Sequence, residues 1–206
     1  MRIVCSAIIP TIVIKLCLAS ASPRRRELLA QLGVECLVLP ANIDEALRPS
    51  ESPEVYVRRM AREKAGSVFA DSARRHQLPV LAADTSVVIG GTVLGKPQTI
   101  DAARAMLAQL AGREHRVLSA VALQSDAKAP HPVRFAERLS TTTVRMRAMT
   151  SAEIEQYARS SEPTDKAGGY AIQGRAAAFI ESIHGSYSGV MGLPLFETAE
   201  LLEALR

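Results

Sequence analysis

Ser20, Ser22 and three consecutive arginines, Arg24, Arg25 and Arg26, surround Pro23, the arrangement of a strand that turns directly into a helix. Cations in a first helical turn oppose the positive end of the helix dipole, so they cost stability unless an anion lies against them. A phosphate group resolves the conflict, because backbone N–H groups, serine hydroxyls and guanidinium groups can converge on its oxygens. Ser22 by itself reads equally well as a helix cap.

Lys64 shares a helical stripe with Val57, Met60, Ala61 and Val68, and an ammonium on an apolar face requires a partner or a route to solvent. Two acidic sites stand apart from it: Asp44-Glu45 in the loop after the second strand, and Asp84, set between Ala82-Ala83 and Thr85-Ser86 where small neighbours leave room for a ligand. Carboxylates of this kind hold Mg²⁺ or Mn²⁺ against substrate phosphates, and one of them can take a proton from an attacking water. Gly95-Lys96-Pro97 offers a further ammonium in an extended turn, although the GxxxxGK[ST] signature of a P-loop is absent. In Asp165-Lys166-Ala167-Gly168-Gly169-Tyr170-Ala171-Ile172-Gln173-Gly174 the glycines permit close backbone approach, and Gln173 presents uncharged donors and an acceptor suited to a base edge.

The elements that must position these groups alternate between short apolar runs and amphipathic stretches, which predicts an α/β fold. A strand over 11–18 leads into a helix from Pro23 to Leu32, stopped by Gly33, and a second strand covers 35–39. Ser52-Pro53 opens a longer helix. A strand over 79–83 delivers Asp84 at its end, and Gly90-Gly91 turns a hairpin between 87–89 and 92–94. A helix over 99–110, strands over 117–123 and 140–146, and a helix capped by Thr150 and Glu153 follow. The polar loop at 125–133 is read as variable surface, Asp165–Gly174 taken alone reads as a structural loop at the start of a glycine-rich stretch over 168–192, and Pro194 is placed in the first turn of a last helix over 195–205.

The 206 residues, 48% hydrophobic and 22% charged, fit one globular domain, assigned to 11–206, preceded by an extension over 1–10. A net charge of +4 suits an anionic partner, but with no Trp and 4% aromatic residues the chain lacks the stacking surface of a nucleic-acid binder. Cys5, Cys17 and Cys36 have neither disulfide nor zinc spacing, which points to reduced thiols and a cytoplasmic location. Pro10 and Lys15 interrupt the N-terminal apolar run, which is too short for a bilayer span, so no membrane partner is expected.

Taken in order, SxSPRR at 20–25, NIDE at 42–45, REKA at 62–65, AADT at 82–85, LGKP at 94–97, DKAGGYAIQG at 165–174 and GLPL at 192–195 resemble the Maf family of nucleotide pyrophosphatases over 15–205. The resemblance implies a mixed, curved sheet with flanking helices and a deep cleft between two lobes, similar to the inosine triphosphate pyrophosphatases. It implies metal-dependent attack of water on a nucleoside triphosphate, with Asp84 as proton acceptor, Glu45 and Asp84 as metal ligands, and Lys64 and Lys96 as further catalytic residues. Ser20, Arg24 and Arg25 match phosphate-binding positions, and Arg24, Thr85 and Gln173 match positions that track specificity. The IQG ending resembles the dTTP/UTP group, whereas the 7-methyl-GTP group carries an acid where Gln173 stands; a neutral amide suits the amide-like edge of uracil or thymine. A homodimer is the expected assembly. The competing readings are a pyrophosphatase for 7-methyl-GTP or another modified nucleotide, and a non-enzymatic regulator that binds nucleic acid or a septum-forming protein.

Overall fold

The computed structural model describes residues 14–126 and 134–205. The expected extension over 1–10, the start of the first strand, Cys5 and most of the loop at 125–133 lie outside the described residues.

β1 (Lys15–Leu18) runs into α1 (Pro23–Gln31), and β2 (Glu35–Val38) returns beside β1 in parallel. Pro23 occupies the first turn of α1 as its spacing requires, and Ser22 is the N-cap residue, although its hydroxyl makes no capping hydrogen bond. In α2 (Pro53–Arg75) the Ser52 side chain accepts from the Val55 N–H, the local bond that starts the helix. Its apolar stripe is buried as the spacing demands: Val57, Met60 and Ala61 are wholly enclosed, Val57 and Ala61 in the cluster against the sheet.

β3 (Val80–Ile89) is one continuous strand, and this corrects the expectation that a strand ends at Asp84. Small and polar residues break the apolar run at 82–86, but backbone pairing does not need large side chains. Antiparallel pairing with β5 (Glu114–Gln124) runs unbroken from Val80↔Gln124 to Val88↔Arg116. β4 (Thr92–Leu94) folds back on β3 through Gly90 and Gly91, whose φ values of 55° and 81° are those of a tight hairpin turn. α3 (Ile100–Leu110) begins at the Thr99 cap. β6 (Ala136–Met146) extends the antiparallel ladder, and α4 (Ser151–Ala158) starts with the capping box of Thr150 and Glu153.

Two short 3₁₀ turns, Ala167–Gly169 and Arg175–Phe179, precede β7 (Ile180–His184) and α5 (Tyr187–Met191). The glycine-rich stretch 168–192 therefore contains a strand and a helix that its spacing did not announce. Pro194 is the N-cap residue of α6 (Leu195–Glu203), one position before the first turn assigned to it.

The resulting mixed sheet has the order β2-β1-β3-β5-β6-β7, with β4 alongside β3. α2 covers one face over a cluster that includes Ala82, Val88 and Leu118. Two separate clusters cover the remainder. One joins Leu28, Leu29, Leu201 and Leu202 of α1 and α6; the other joins Leu107, Leu110 and Tyr157 of α3 and α4. β1 pairs with β3 only at Val80 and Leu81, whereas β4 pairs with it only from Val87 onward. Between those contacts the sheet is open along one side of β3, and Asp84 stands in the middle of the opening.

Candidate active site

A cleft of about 790 Å³ occupies this opening. Ser20, Arg24 and Arg25 from the start of α1, together with Glu45 from the loop after β2, line it. Lys96, Lys166 and Gln173 enter from the segments after β4 and α4, and the floor is β3 with Asp84 and Thr85. All nine residues to which the resemblance gives a role, Lys64 among them, thus line one cleft. Five cationic side chains, Arg24, Arg25, Lys64, Lys96 and Lys166, face three carboxylates, Glu45, Asp84 and Asp165. The surplus of positive charge suits a polyanionic ligand.

The carboxylates are joined through Lys64. Its Nζ donates to Asp84 Oδ1 at 2.7 Å and lies 2.7 Å from Glu45 Oε1. This is the partner that an ammonium on an apolar helical stripe requires. Burial pushes the Asp84 carboxyl above its ordinary value, opposed by the charges of Lys64 and Arg25. For Glu45, burial acts upward, but the hydrogen bond and charge of Lys64, with Lys96 and Arg25, bring it below the usual carboxylate range. The two acids are therefore driven apart in proton affinity, the condition for giving them different tasks. Asp84 Oδ2 has no hydrogen bond to the protein among the described residues and is not sealed from the cleft.

Arg25 turns back from α1 into the structure. Its Nε donates to the Gly192 carbonyl at 2.8 Å and its Nη1 to Ser20 Oγ at 3.0 Å, while burial lowers its pKa against the opposing pull of Asp84 and Glu45. Ser20 Oγ also accepts from the Ser22 N–H at 3.2 Å, so this hydroxyl organises the turn before the helix. Arg24 lines the cleft, whereas Arg26 is exposed outside it. Thr85 Oγ1 lies 2.9 Å from Ser119 Oγ and donates at 3.4 Å to the Gly192 carbonyl that Arg25 also uses. Gly192 comes from the GLPL segment, and the Arg25 and Thr85 bonds tie α5 to both α1 and β3.

The loop carrying Glu45 is fastened to α2. Tyr56 Oη donates to the Glu45 carbonyl at 3.0 Å, and Arg59 Nη2 donates to the Ala46 carbonyl at 2.9 Å. Arg59 is itself held by Glu51 through bonds of 2.6 and 2.7 Å. Asp44 accepts from the Ala46 N–H at 2.9 Å, a turn-forming role outside the cleft lining. Neither Tyr56, Arg59 nor Ser119 was legible as part of the site. Lys166 stood inside a quoted motif, and its charge beside two glycines was the available signal.

Glu45 and Asp84 offer oxygen ligands only, and among the described residues no group of three His, Cys, Asp or Glu side chains forms a metal cluster. Two carboxylates without nitrogen or sulfur suit a hard divalent cation that keeps waters and shares its remaining positions with phosphate oxygens.

A Mycobacterium abscessus structure described as a nucleoside-triphosphatase / dITP/XTP pyrophosphatase aligns with 65% of this chain and 73% of its own, at 16% identity and a TM-score of 0.39. Much stronger relationships are found in sequence. The dTTP/UTP pyrophosphatase of Alkalilimnicola ehrlichii is 51% identical over 189 residues, covering 90% of each chain. The protein of the same description from Bordetella parapertussis is 52% identical over 196 residues, covering 92% of each. The sequence profile of the Maf-like proteins matches residues 15–205, so the chain belongs to the Maf-like protein family.

Proposed function

We propose that the protein hydrolyses dTTP and UTP to the nucleoside monophosphate and pyrophosphate, clearing these or modified pyrimidine nucleotides from the pool. Relatives so described at about half identity over nearly the whole chain support the substrate class. The observation that carries the chemistry is the Lys64-bridged pair of Asp84 and Glu45 at the floor of a cleft rich in cations.

In this reading Arg24, Arg25 and Lys96 receive the triphosphate, with Ser20 organising the turn beneath it. Asp84, raised in proton affinity by burial, takes the proton of a water as the water oxygen bonds to the phosphorus next to the sugar. The bond from that phosphorus to its bridging oxygen breaks, and pyrophosphate leaves with the electron pair. Lys64 and the arginines face the charge that grows on the phosphate oxygens, so positioning and electrostatics supply most of the acceleration. Glu45 and Asp84 would hold a Mg²⁺ or Mn²⁺ ion, which when bound supplies further charge neutralisation. Gln173 and Thr85, with Arg24, are assigned to base selection. The same reading makes the enzyme cytosolic, which the free thiols of Cys17 and Cys36 support, and dimeric, which sedimentation would check.

The test is pyrophosphate release from a panel of ordinary and modified nucleoside triphosphates with Mg²⁺ or Mn²⁺, using wild type and Asp84→Asn. We expect dTTP and UTP to lead the panel and the variant to lose ~10²- to 10⁴-fold in kcat with little change in KM. Preference for 7-methyl-GTP would overturn the base assignment. Absence of turnover on every triphosphate, from folded and metal-loaded protein, would favour a binding role.

A further inference from the structure

Gln173 is exposed to the cleft from a short turn, and the groups that fix this turn come from α4 and the segment just after it, outside the cleft floor. The Gly174 N–H donates to the Ala171 carbonyl at 2.9 Å, closing the turn with Ile172 and Gln173 at its centre, and Ile172 is buried in the core beneath. On the near side, the Ala171 N–H donates to Tyr157 Oη at 3.2 Å. On the far side, the Arg175 N–H donates to both oxygens of Glu162 at 2.9 Å each. Tyr157 Oη links the two sides by donating to Glu162 Oε2 at 3.1 Å. Tyr157 is 2% exposed in the core under α4, and the Phe179 ring meets it edge-on at 5.8 Å.

The fit is close enough to dictate a neighbouring residue. A Cβ at Gly174 would lie 2.3 Å from Glu162 Oε2 and 2.6 Å from its carboxyl carbon. Real carbons do not approach so closely, so the carboxylate can occupy this place only because residue 174 has no side chain. The three main-chain N–H groups at 171, 174 and 175 are thus engaged around Gln173, two of them by a tyrosine–glutamate pair.

We propose that Glu162 and Tyr157 form a clamp that sets the position of Gln173, making them positioning residues for base selection although neither reaches the substrate. The inference rests on the proposed pyrimidine triphosphate activity. It assigns discrimination to a carboxylate 11 residues upstream of Gln173 in sequence and on the opposite side of its turn. The phosphate end of the cleft stands apart from the clamp: among the described residues Arg24, Arg25, Lys64 and Lys96 share no hydrogen bond or ion pair with Glu162 or Tyr157.

The experiment compares dTTP with ribose 5-triphosphate, which carries sugar and phosphates but no base, in wild type, Glu162→Ala, Glu162→Gln, Tyr157→Phe and Gly174→Ala. For Glu162→Ala and Gly174→Ala we expect kcat/KM on dTTP to fall ~10- to 100-fold, chiefly through a higher KM, with hydrolysis of ribose 5-triphosphate unchanged. Glu162→Gln keeps an acceptor for the Arg175 N–H and recovers part of the loss. Tyr157→Phe keeps the ring in the core and removes only the hydroxyl, so it reads the clamp even if the alanine variants fold poorly. Equal losses on both substrates, or full discrimination in Tyr157→Phe and Glu162→Gln together, would overturn the clamp while leaving the pyrimidine activity standing. A wild type that does not prefer dTTP over ribose 5-triphosphate would overturn the activity and the clamp with it.

Discussion

Lys64 Nζ and Asp84 Oδ1 lie 2.7 Å apart, joining a helix stripe to the centre of a strand across 20 positions of sequence. Both groups are largely removed from solvent, with relative exposures of 8% for each residue. One ammonium between two carboxylates leaves the trio with a net negative charge, which Arg25 offsets from the α1 side. Lys64 and Arg25 thus oppose the rise that burial causes in the proton affinity of Asp84.

Removing that ammonium therefore has a defined consequence for pH dependence. The acid limb of kcat/KM reports the proton leaving the catalytic base in the free enzyme. Lys64 lowers the Asp84 pKa against the effect of burial, so Lys64→Met moves the limb to higher pH as well as lowering the plateau. A limb that stays in place would assign it to another group.

The loop that carries Glu45 depends on a buried guanidinium. Arg59→Met frees the Ala46 carbonyl and the Glu51 carboxylate together, and we expect kcat/KM to fall by about tenfold through misplacement of Glu45. Arg59→Lys should recover little of this, because a single ammonium cannot reproduce the fork that spans both partners. The Glu51 carboxyl is held down at about 2 by its bonds to Arg59, so the contribution of this pair is present above the ordinary value of 4.5. It disappears only as the pH falls toward 2. Steady-state kinetics on the two variants checks the first point, and acid titration of wild-type fluorescence or circular dichroism the second.

A separate acid sensitivity comes from His115. Its Nε2 lies 2.7 Å from Tyr170 Oη, its Nδ1 has no partner among the described residues, and burial pushes its pKa down to about 4. The unfolded state binds the proton more readily, so stability is complete above the ordinary value of 6.5 and declines as the pH falls through that value toward 4. The loss amounts to ~3 kcal/mol for a fully neutral buried imidazole. Urea melts at neutral and mildly acidic pH should show this loss in wild type and a smaller one in His115→Gln; equal losses would place the sensitivity elsewhere.

Helix starts were the most legible features of the sequence, because Ser52, Thr99 and Thr150 act through bonds to N–H groups three residues away. The buried stripe of α2 was equally plain, and it identified Lys64 as an anomaly before its partners were known. The continuity of β3 through Asp84 was not legible, since it is maintained by β5, whose pairing residues lie more than 30 positions away. Strand β7 spans five residues with little alternation and α5 another five, too short to impose a period on a glycine-rich stretch. The supports of the site, Arg59 beneath Glu45 and Ser119 beside Thr85, were hidden for a similar reason. A side chain that works by touching a carbonyl or hydroxyl elsewhere in the chain leaves no spacing to read.

The opening beside β3 leaves a further mark on the molecule. The bonds from the Cys17 and Ala19 N–H groups to the Pro79 and Leu81 carbonyls show which residues of β3 face β1. By alternation Ala83 and Thr85 turn their own N–H and C=O groups the same way, into a region where β1 has departed and β4 has not begun. The sheet has a seam, with main-chain hydrogen-bonding capacity along its edge and side chains of opposite walls facing across it. A nucleotide lodged there would act as a removable cross-link between those walls, and the filled protein would resist unfolding more than the empty one by an amount that grows with ligand concentration.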